Sequence, residues 1–190
     1  GNNVLTLKIF RWSTGSYLEC QDFWRISGIE RDVFLYSQPK ASVQDFRIVS
    51  TLDDSYRNGI FRLDMELKNH RTNTAGLSIG YELLDNNGKV VANGEETVDV
   101  LAGKEGTVSF SKELPEVKTW TSEAPNLYKL LMTVKENGKV TEVIPYHVGF
   151  RRIEIKEIDQ KGTNGKNYHV LFINGQPLKL KGVNIHEHNP

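Results

Sequence analysis

The clearest structural signal lies in residues 127–148, which read LYKLLMTVKENGKVTEVIPYHV. Apolar and polar residues alternate on both sides of Asn137-Gly138, as they do in half-buried β-strands. The Asn-Gly pair supplies the positive φ angles that a tight turn between two strands requires. This stretch therefore predicts an antiparallel hairpin, and the rest of the chain repeats the pattern.

Alternation of the same kind predicts strands at 5–10, 42–50, 59–67, 76–84, 107–110 and 178–181, whereas helical periodicity is scarce. Asn87-Gly88 and Asn174-Gly175 predict two more tight turns. A strand about every ten residues indicates an antiparallel β-sandwich over residues 39–150. The apolar positions of the strands are expected to be buried, namely Leu7, Ile9, Phe34, Phe46, Ile48, Phe61, Leu63, Leu83, Leu130 and Phe150.

Composition narrows the class of protein. The 190 residues include 24 Lys and Arg against 24 Asp and Glu, and 38% are hydrophobic, which excludes a disordered chain. Balanced charge predicts neither nucleic acid nor membrane as a partner. The sequence shows no apolar run of about 20 residues and no signal peptide. A single Cys20 cannot form an internal disulfide, and the compartment, cytoplasmic or periplasmic, stays open.

Few residues carry an obvious catalytic pattern. The sequence lacks a phosphate-binding loop, a Gly-x-Ser-x-Gly turn and a cysteine pair for zinc. Cys20 is more typical of packing than of a nucleophile. His186 and His188 would point the same way on an extended segment and could share a metal. Only two ligands are visible, however, so two histidines hydrogen-bonded at a strand end are the default interpretation.

Three motifs occur in order along the chain. They are RWSTGSYLECQDFWRISGIERDV at 11–33, WTSEAPNLY at 120–128 with VGFRR at 148–152, and INGQP at 173–177 with KGVNIHEH at 181–188. Together they resemble the family 2 glycoside hydrolases and are nearest to the long β-galactosidases. In that family the motifs end the jelly-roll domain, end the first immunoglobulin-like domain and open the (β/α)₈ barrel.

The resemblance implies an all-β chain made of three parts. Residues 1–38 would be the C-terminal part of the jelly-roll sugar-binding domain, 39–150 an immunoglobulin-like β-sandwich, and 151–190 the start of the (β/α)₈ catalytic barrel domain. The parent enzyme would be a homo-oligomer that hydrolyses terminal non-reducing β-D-galactosides such as lactose with retention, using magnesium and sodium. The two catalytic glutamates would lie beyond Pro190, so we expect the chain itself to be inactive and to require no cofactor.

Two residues match substrate-side positions of the family. Asp22, in the motif Gln-Asp-x-Trp, matches an aspartate that contacts galactose hydroxyls and helps to ligate sodium, and a carboxylate suits both roles. His186 matches a histidine at the C-terminal end of the first barrel strand, where barrel enzymes build their sites. Ile185 and Asn189 replace an Arg and a second His of many relatives, which leaves the accepted aglycone undefined.

Other interpretations of the same sequence remain open. Trp12, Tyr17 and Trp24 could form a sugar-stacking platform, although aromatic residues among strands are more often core. A sandwich without a catalytic pair could also be a non-catalytic carbohydrate-binding or domain-spacing module. A cell-surface adhesion sandwich is disfavoured because it predicts disulfides or acidic calcium clusters.

Overall fold

The computed structural model describes residues 3–18, 28–29 and 31–185. The chain forms two compact units, one of residues 1–36 with 180–190 and the other of residues 37–179. In its described part the first unit contains one short helix, α1 (Gly15–Leu18), and no strand. The strand prediction at 5–10 is therefore wrong. Residues 178–181 form no strand either, so that prediction is wrong as well.

The predicted burial of three residues in the first unit is also wrong. Leu7 is 56% exposed, Ile9 50% and Phe34 75%. Alternation makes a segment suitable for a sheet, but a strand also needs a neighbour for its N–H and C=O groups. No described residue pairs with these segments.

Seven strands of the second unit form two antiparallel sheets, so the all-β prediction is confirmed. One sheet has the order β1-β2-β5, and the other has the order β4-β3-β6-β7. The strands are β1 (Ala41–Leu52), β2 (Gly59–Asn69), β3 (Ala75–Leu84), β4 (Val90–Val100), β5 (Glu105–Leu114), β6 (Tyr128–Glu136) and β7 (Lys139–Val148).

The core lies between these two sheets, where every second side chain is directed inward. Phe61 and Leu63 on β2 and Leu83 on β3 are fully buried, as are Leu130 and Phe150, so the prediction for these five is confirmed. Phe46 and Ile48 are partly buried and pack against this core. Phe61 and Phe110 lie 5.3 and 5.0 Å from the ring of Tyr81, which links both sheets through aromatic contacts.

All three predicted tight turns are confirmed. Asn137 and Gly138 join β6 to β7 with φ angles of 50° and 75°, and Asn174 and Gly175 have φ angles of 49° and 76°. Gly88, with φ of 79°, lies in the turn from β3 to β4. These angles are in the left-handed region that favours Gly and Asn, which is why the Asn-Gly dipeptide predicts turns.

The sequence did not predict β4. Its residues include Asn93-Gly94 and two glutamates, which interrupt the valines that favour a strand. A Cβ atom at Gly94 would lie 2.8 Å from the Tyr81 ring, so the glycine is required by packing against the core. β4 is an edge strand, and its charged residues discourage pairing with another chain.

A third antiparallel sheet belongs to the same unit as the sandwich. It consists of β8 (Ile153–Lys161), β9 (Asn167–Ile173) and β10 (Gln176–Pro177) in the order β10-β9-β8. The first two strands form a hairpin, and β10 folds back on β9 through Asn174-Gly175. No helix in the described part of the chain is long and apolar enough to cross a membrane.

Candidate functional site

The two predicted substrate ligands, Asp22 and His186, lie outside the described residues. Cys20, Trp24, Glu187 and His188 lie outside them as well. The contacts of these side chains therefore stay predictions.

Two aromatic residues of the first motif are described. Trp12 is 50% exposed, with the Arg11 guanidinium 5.4 Å from its ring, and Tyr17 is 81% exposed. The expectation that these two rings are core residues is wrong.

The second and third motifs meet in space. The Trp120 backbone N–H donates to the Phe150 carbonyl over 2.8 Å, and the Arg151 guanidinium lies 4.6 Å from the Trp120 ring. Asn174 donates from its side-chain amide to the Trp120 carbonyl over 3.0 Å and accepts from the Arg152 N–H over 2.9 Å. The end of the sandwich and the start of the third sheet are therefore joined by backbone and side-chain hydrogen bonds rather than by a flexible linker.

A cluster of charged side chains beside this contact forms what we call the polar junction, made of Asp54, Tyr56, Arg152, Glu154 and Lys156. The Tyr56 hydroxyl donates to Glu154 Oε2 over 2.8 Å and accepts from Lys156 Nζ. Arg152 contacts Glu154 at 3.0 Å and Asp54 at 2.7 Å. The junction thus ties the loop between β1 and β2 to strand β8.

The loop that carries Tyr56 is held in shape by Asp53. The Asp53 carboxylate accepts hydrogen bonds from Ser55 Oγ at 2.8 Å and from Asn58 Nδ2 at 2.9 Å, which lower its pKa to about 2. Tyr56 has a φ of 58°, a conformation that non-glycine residues rarely adopt. A Cβ atom at Gly175 would lie 2.7 Å from the Tyr56 ring, so the third sheet approaches this ring closely.

Electrostatics argue against a general-acid role for the described carboxylates whose pKa is lowered. Retaining glycoside hydrolysis requires a general acid whose pKa is raised. The hydrogen bond from Tyr56 lowers the pKa of Glu154, and hydrogen bonds from partners also lower those of the other carboxylates with a resolved shift, namely Asp53, Asp64, Glu95 and Glu136. Each of these groups is therefore a stabilised anion and unsuited to donate a proton near neutral pH.

Open grooves also lie on the described surface of the sandwich. One runs between the edge strands β1 and β7, where the rings of Phe46 and Tyr146 meet edge to face at 5.5 Å. Another crosses the outer face of the four-stranded sheet, where Glu95 is already paired with Lys135 at 3.0 Å. Within the described ranges, no group of three His, Cys, Asp or Glu side chains could hold a metal ion.

Sequence reasoning missed the polar junction. Arg152 lies in a motif that was recognised, but Tyr56 and Glu154 are separated by 98 residues and lie in no motif. The signal that was available is the alternation of Ile153 and Ile155 with Glu154 and Lys156, which marks β8 as a two-faced strand.

Comparison with known families identifies the family to which the chain belongs. The family Glycosyl hydrolases family 2 matches residues 41–151, and the related family Glycosyl hydrolases family 2, sugar binding domain, matches residues 1–39. The chain belongs to glycosyl hydrolase family 2. Strands β8 to β10 lie outside both matched ranges.

Curated relatives agree with this assignment over the full chain. The β-galactosidase of Halalkalibacterium halodurans is 40% identical over 191 residues, and that of Streptococcus thermophilus is 39% identical over 193 residues. In each comparison the match covers 100% of this chain and 17% of the relative. The chain therefore spans about a sixth of the length of these family 2 relatives.

Solved structures support the fold. A β-glucuronidase of Bacteroides uniformis superimposes with a TM-score of 0.71 at 21% identity, covering 86% of this chain and 19% of that chain. A putative β-galactosidase of Bacteroides fragilis superimposes with a TM-score of 0.63 at 19% identity, covering 74% of this chain and 20% of that chain. Because the superposition includes enzymes named for different sugars, it supports the family 2 fold and does not select a substrate.

Proposed function

We propose that the full-length protein carrying this chain is a retaining β-galactosidase that hydrolyses terminal non-reducing β-D-galactosides such as lactose. The observation that carries the proposal is the 40% and 39% identity to proteins named β-galactosidase over the whole of this chain. The name shared by these relatives favours a galactoside as the substrate.

The 190-residue chain is proposed to be inactive by itself. Hydrolysis with retention requires a nucleophile and an acid/base carboxyl group about 5–5.5 Å apart. By resemblance to the family, both glutamates lie in the barrel beyond Pro190. The hydrogen bonds that lower the pKa values of Glu154 and Glu136 support this for those two groups, because neither is suited to be the acid.

Asp22 and His186 are proposed to contact the galactose in the full-length protein. A carboxylate accepts hydrogen bonds from sugar hydroxyls strongly because it is charged, and an imidazole can strengthen its hydrogen bond as charge develops on the sugar. These contacts would hold the ring while the barrel glutamates carry out the bond cleavage.

Sodium and magnesium are proposed for the full-length protein by resemblance, with Asp22 as one sodium ligand. A carboxylate oxygen is a suitable donor for such hard cations. The described residues bring together no further ligands of this type, so we derive no catalytic step from either ion. Replacing sodium by caesium in assays of the full-length protein should raise KM, and this dependence should disappear in Asp22→Ala.

We also propose that the full-length protein is a homo-oligomer.

Hydrolysis of an aryl β-galactoside tests the proposal. The full-length protein should turn over this substrate and not the matching β-glucuronide, and the 190-residue chain should turn over neither. Preference for the glucuronide would contradict the proposed substrate. Turnover by the chain alone, abolished by Glu187→Gln, would overturn the proposed location of the catalytic pair.

Variants of the full-length protein test the two sugar contacts. Removing one hydrogen bond to a charged group costs about 1.5–3 kcal/mol, so Asp22→Ala and His186→Ala should each lower kcat/KM roughly 10- to 150-fold. Asp32→Ala and His169→Ala, at exposed positions, serve as matched controls and should leave kcat/KM unchanged. An unchanged kcat/KM in Asp22→Ala would remove this residue from the proposed site.

A further inference from the structure

Six Asn-Gly dipeptides occur in the chain, and the glycine makes each of them chemically reactive. Because glycine has no Cβ, its backbone nitrogen can approach the side-chain amide of the preceding asparagine and attack Cγ. The product of this attack is a cyclic succinimide. The pairs are Asn58-Gly59, Asn87-Gly88, Asn93-Gly94, Asn137-Gly138, Asn164-Gly165 and Asn174-Gly175.

The folded structure decides which of these pairs can react. The attack requires an asparagine side chain that can turn toward the backbone and a glycine N–H that is not donated to another acceptor. A hydrogen bond to either group has to be broken before the reaction, and breaking it costs free energy. A pair whose two reacting groups are both free should therefore react first.

Two pairs are held through the asparagine side chain. The Asn174 amide donates to the Trp120 carbonyl over 3.0 Å, and its oxygen accepts from the Arg152 N–H over 2.9 Å. Asn58 Nδ2 donates to the Asp53 carboxylate over 2.9 Å, and Asn58 Oδ1 accepts from a backbone N–H over 3.2 Å. Both side chains are therefore fixed by partners other than the glycine that follows them.

Two further pairs are held through the glycine N–H. In the turn from β3 to β4, Gly88 donates to the Asp85 carbonyl over 2.9 Å. In the turn from β8 to β9, Gly165 donates to the Gly162 carbonyl over 3.0 Å. The Oδ1 atom of Asn164 in this second turn also accepts from a backbone N–H over 3.0 Å. The attacking nitrogen is therefore already engaged in both turns.

A fifth pair, Asn93-Gly94, lies within a strand. Asn93 is paired with Glu82 and Gly94 with Tyr81 in the ladder between β4 and β3. Closing a succinimide ring requires the backbone to turn at the asparagine, and the extended conformation of a paired strand opposes that turn. This pair is therefore protected by the sheet.

Asn137-Gly138 is the exception among the six pairs. Both residues are exposed at the tip of the hairpin formed by β6 and β7. In the described part of the chain, neither the Asn137 side chain nor the Gly138 N–H has a hydrogen-bond partner. Val140, near the start of the edge strand β7, is 56% exposed, so little packing opposes local opening of this turn.

We propose that Asn137 is a site of spontaneous deamidation in this protein. The Gly138 nitrogen forms a bond to Cγ of Asn137 and loses its proton to solvent, and the side-chain nitrogen leaves as ammonia. Water then opens the succinimide at either carbonyl, which gives aspartate or isoaspartate. The net reaction consumes water and releases ammonia, and it needs no other reactant. This inference concerns the covalent stability of the sandwich and is independent of the proposed substrate.

The two products affect the hairpin differently. Aspartate keeps the turn, because Asp-Gly adopts the same positive φ angles as Asn-Gly. Isoaspartate carries the backbone through the former side chain and adds a carbon atom between β6 and β7, so the tight turn no longer fits. Both products place a negative charge next to Glu136, which is paired with Arg71. Deamidation therefore acts on the edge of the sandwich.

Peptide mapping of the aged full-length protein tests the proposal. The native protein is incubated in mildly alkaline buffer, digested at mildly acidic pH and analysed by mass spectrometry, which reads all six pairs in one sample. Asn137 should deamidate at least about tenfold faster than Asn58 and Asn174, because two hydrogen bonds hold each of those side chains. Any other pair of the six that reacts as fast as Asn137 would overturn the proposal.

The same measurement in guanidinium chloride separates the effect of the fold from that of the sequence. The rates of the six pairs should converge in the unfolded protein, because the hydrogen bonds that distinguish the pairs are lost. If Asn137 leads by the same factor in the unfolded protein, its neighbours in the sequence cause the reactivity, and the proposal is wrong.

Hydroxylamine tests the succinimide intermediate, because it cleaves the backbone where a succinimide has formed. The aged native protein should be cut between Asn137 and Gly138. Asn137→Gly should abolish this cut, because a Gly-Gly turn keeps the hairpin and lacks the side-chain amide. Asn164→Gly, in the exposed turn between β8 and β9, is the matched control and should leave the cut unchanged. Deamidation of Asn137 without this cleavage would contradict the succinimide route.

Discussion

Two segments with the same sequence pattern have different structures in this protein. Residues 5–10 and residues 59–67 both alternate apolar with polar side chains. The second segment is most of β2, with Leu63 fully buried, whereas the first forms no strand and leaves Leu7 56% exposed. Alternation alone therefore does not determine whether a segment of this chain forms a strand.

The difference lies in the neighbours of each segment. β2 is the central strand of its sheet, hydrogen-bonded to β1 and to β5, and its inward side chains meet those of the opposite sheet. Each partner satisfies backbone groups and removes apolar surface from water. Within the described residues, the segment 5–10 has neither a hydrogen-bonded neighbouring strand nor an opposite sheet.

The largest expected effect comes from truncating matched phenylalanines in the two regions. Phe61→Ala should lower the free energy of unfolding by about 3–5 kcal/mol, because it removes a fully buried ring and leaves a cavity. Phe34→Ala, at a position that the sequence predicted as buried and that is 75% exposed, should change it by less than about 0.5 kcal/mol. Urea unfolding followed by tryptophan fluorescence measures both, and equal losses would show that the two regions do not differ in packing.

Much of the sandwich could be predicted from the sequence because its signals are local. The Asn137-Gly138 turn and the alternation on either side of it depend only on φ preference and strand periodicity. β4 could not be predicted, because its Gly94 is selected by the Tyr81 ring, a contact with a distant residue. Non-local packing is the part of the fold that a local pattern does not contain.

The next largest effect on stability is expected at Asn69, a polar residue whose burial the alternation of strand residues does not predict. Asn69 is fully buried at the end of β2. Its side-chain amide donates to the carbonyls of Asn73 at 2.8 Å and Val100 at 2.9 Å. Its Oδ1 accepts from the Arg71 N–H at 3.0 Å. Asn69→Leu should cost about 2–3 kcal/mol, because buried backbone groups lose their partners. Thermal unfolding measures the loss. Asn164→Leu, in the exposed hairpin turn, is the matched control and should be nearly neutral.

A smaller effect is expected from adding one methyl group in each region. A Cβ atom at Gly59 would lie 2.8 Å from the Phe150 ring and from Val117, so Gly59→Ala should lower the free energy of unfolding by about 1–3 kcal/mol through overpacking. A Cβ atom at Gly182 would meet nothing within 4 Å, and Gly182→Ala should be neutral within about 0.5 kcal/mol. If the two variants unfold at the same urea concentration, the close approach of β2 to Phe150 is wrong.

The candidate site could be predicted from the sequence less completely than the sandwich. Asp22 and His186 follow from motif resemblance alone, and their contacts stay predictions. The polar junction had no motif, because Tyr56 and Glu154 are brought together by the docking of a hairpin far along the chain. A motif identifies residues that a family uses, whereas an ion-pair cluster between two elements can be found only when both are in place.

The smallest expected effect is the pH dependence of one ion pair at the edge of the sandwich. Both guanidinium nitrogens Nη1 and Nη2 of Arg71 contact the Glu136 carboxylate, the second at 2.9 Å. The hydrogen bonds from Arg71 hold the pKa of Glu136 below its ordinary value. A carboxyl group whose pKa is lowered by folding stabilises the folded state above its unfolded pKa of about 4.3. That stabilisation is lost as the pH falls through the lower folded pKa.

Glu136→Gln should therefore lower the unfolding midpoint at pH 7 by less than Gly59→Ala does, and the difference from the unmodified chain should shrink progressively below about pH 4.3. Glu105→Gln is the control, because the Glu105 side chain is 70% exposed and its contact with Lys68 is screened by solvent, so its effect should be small at every pH. Urea midpoints at pH 7, 5, 4 and 3 measure both series. A difference for Glu136→Gln that stays constant down to the acid unfolding limit would mean that the bond to Arg71 contributes no charge-dependent stability, and that the sandwich edge is held by packing alone.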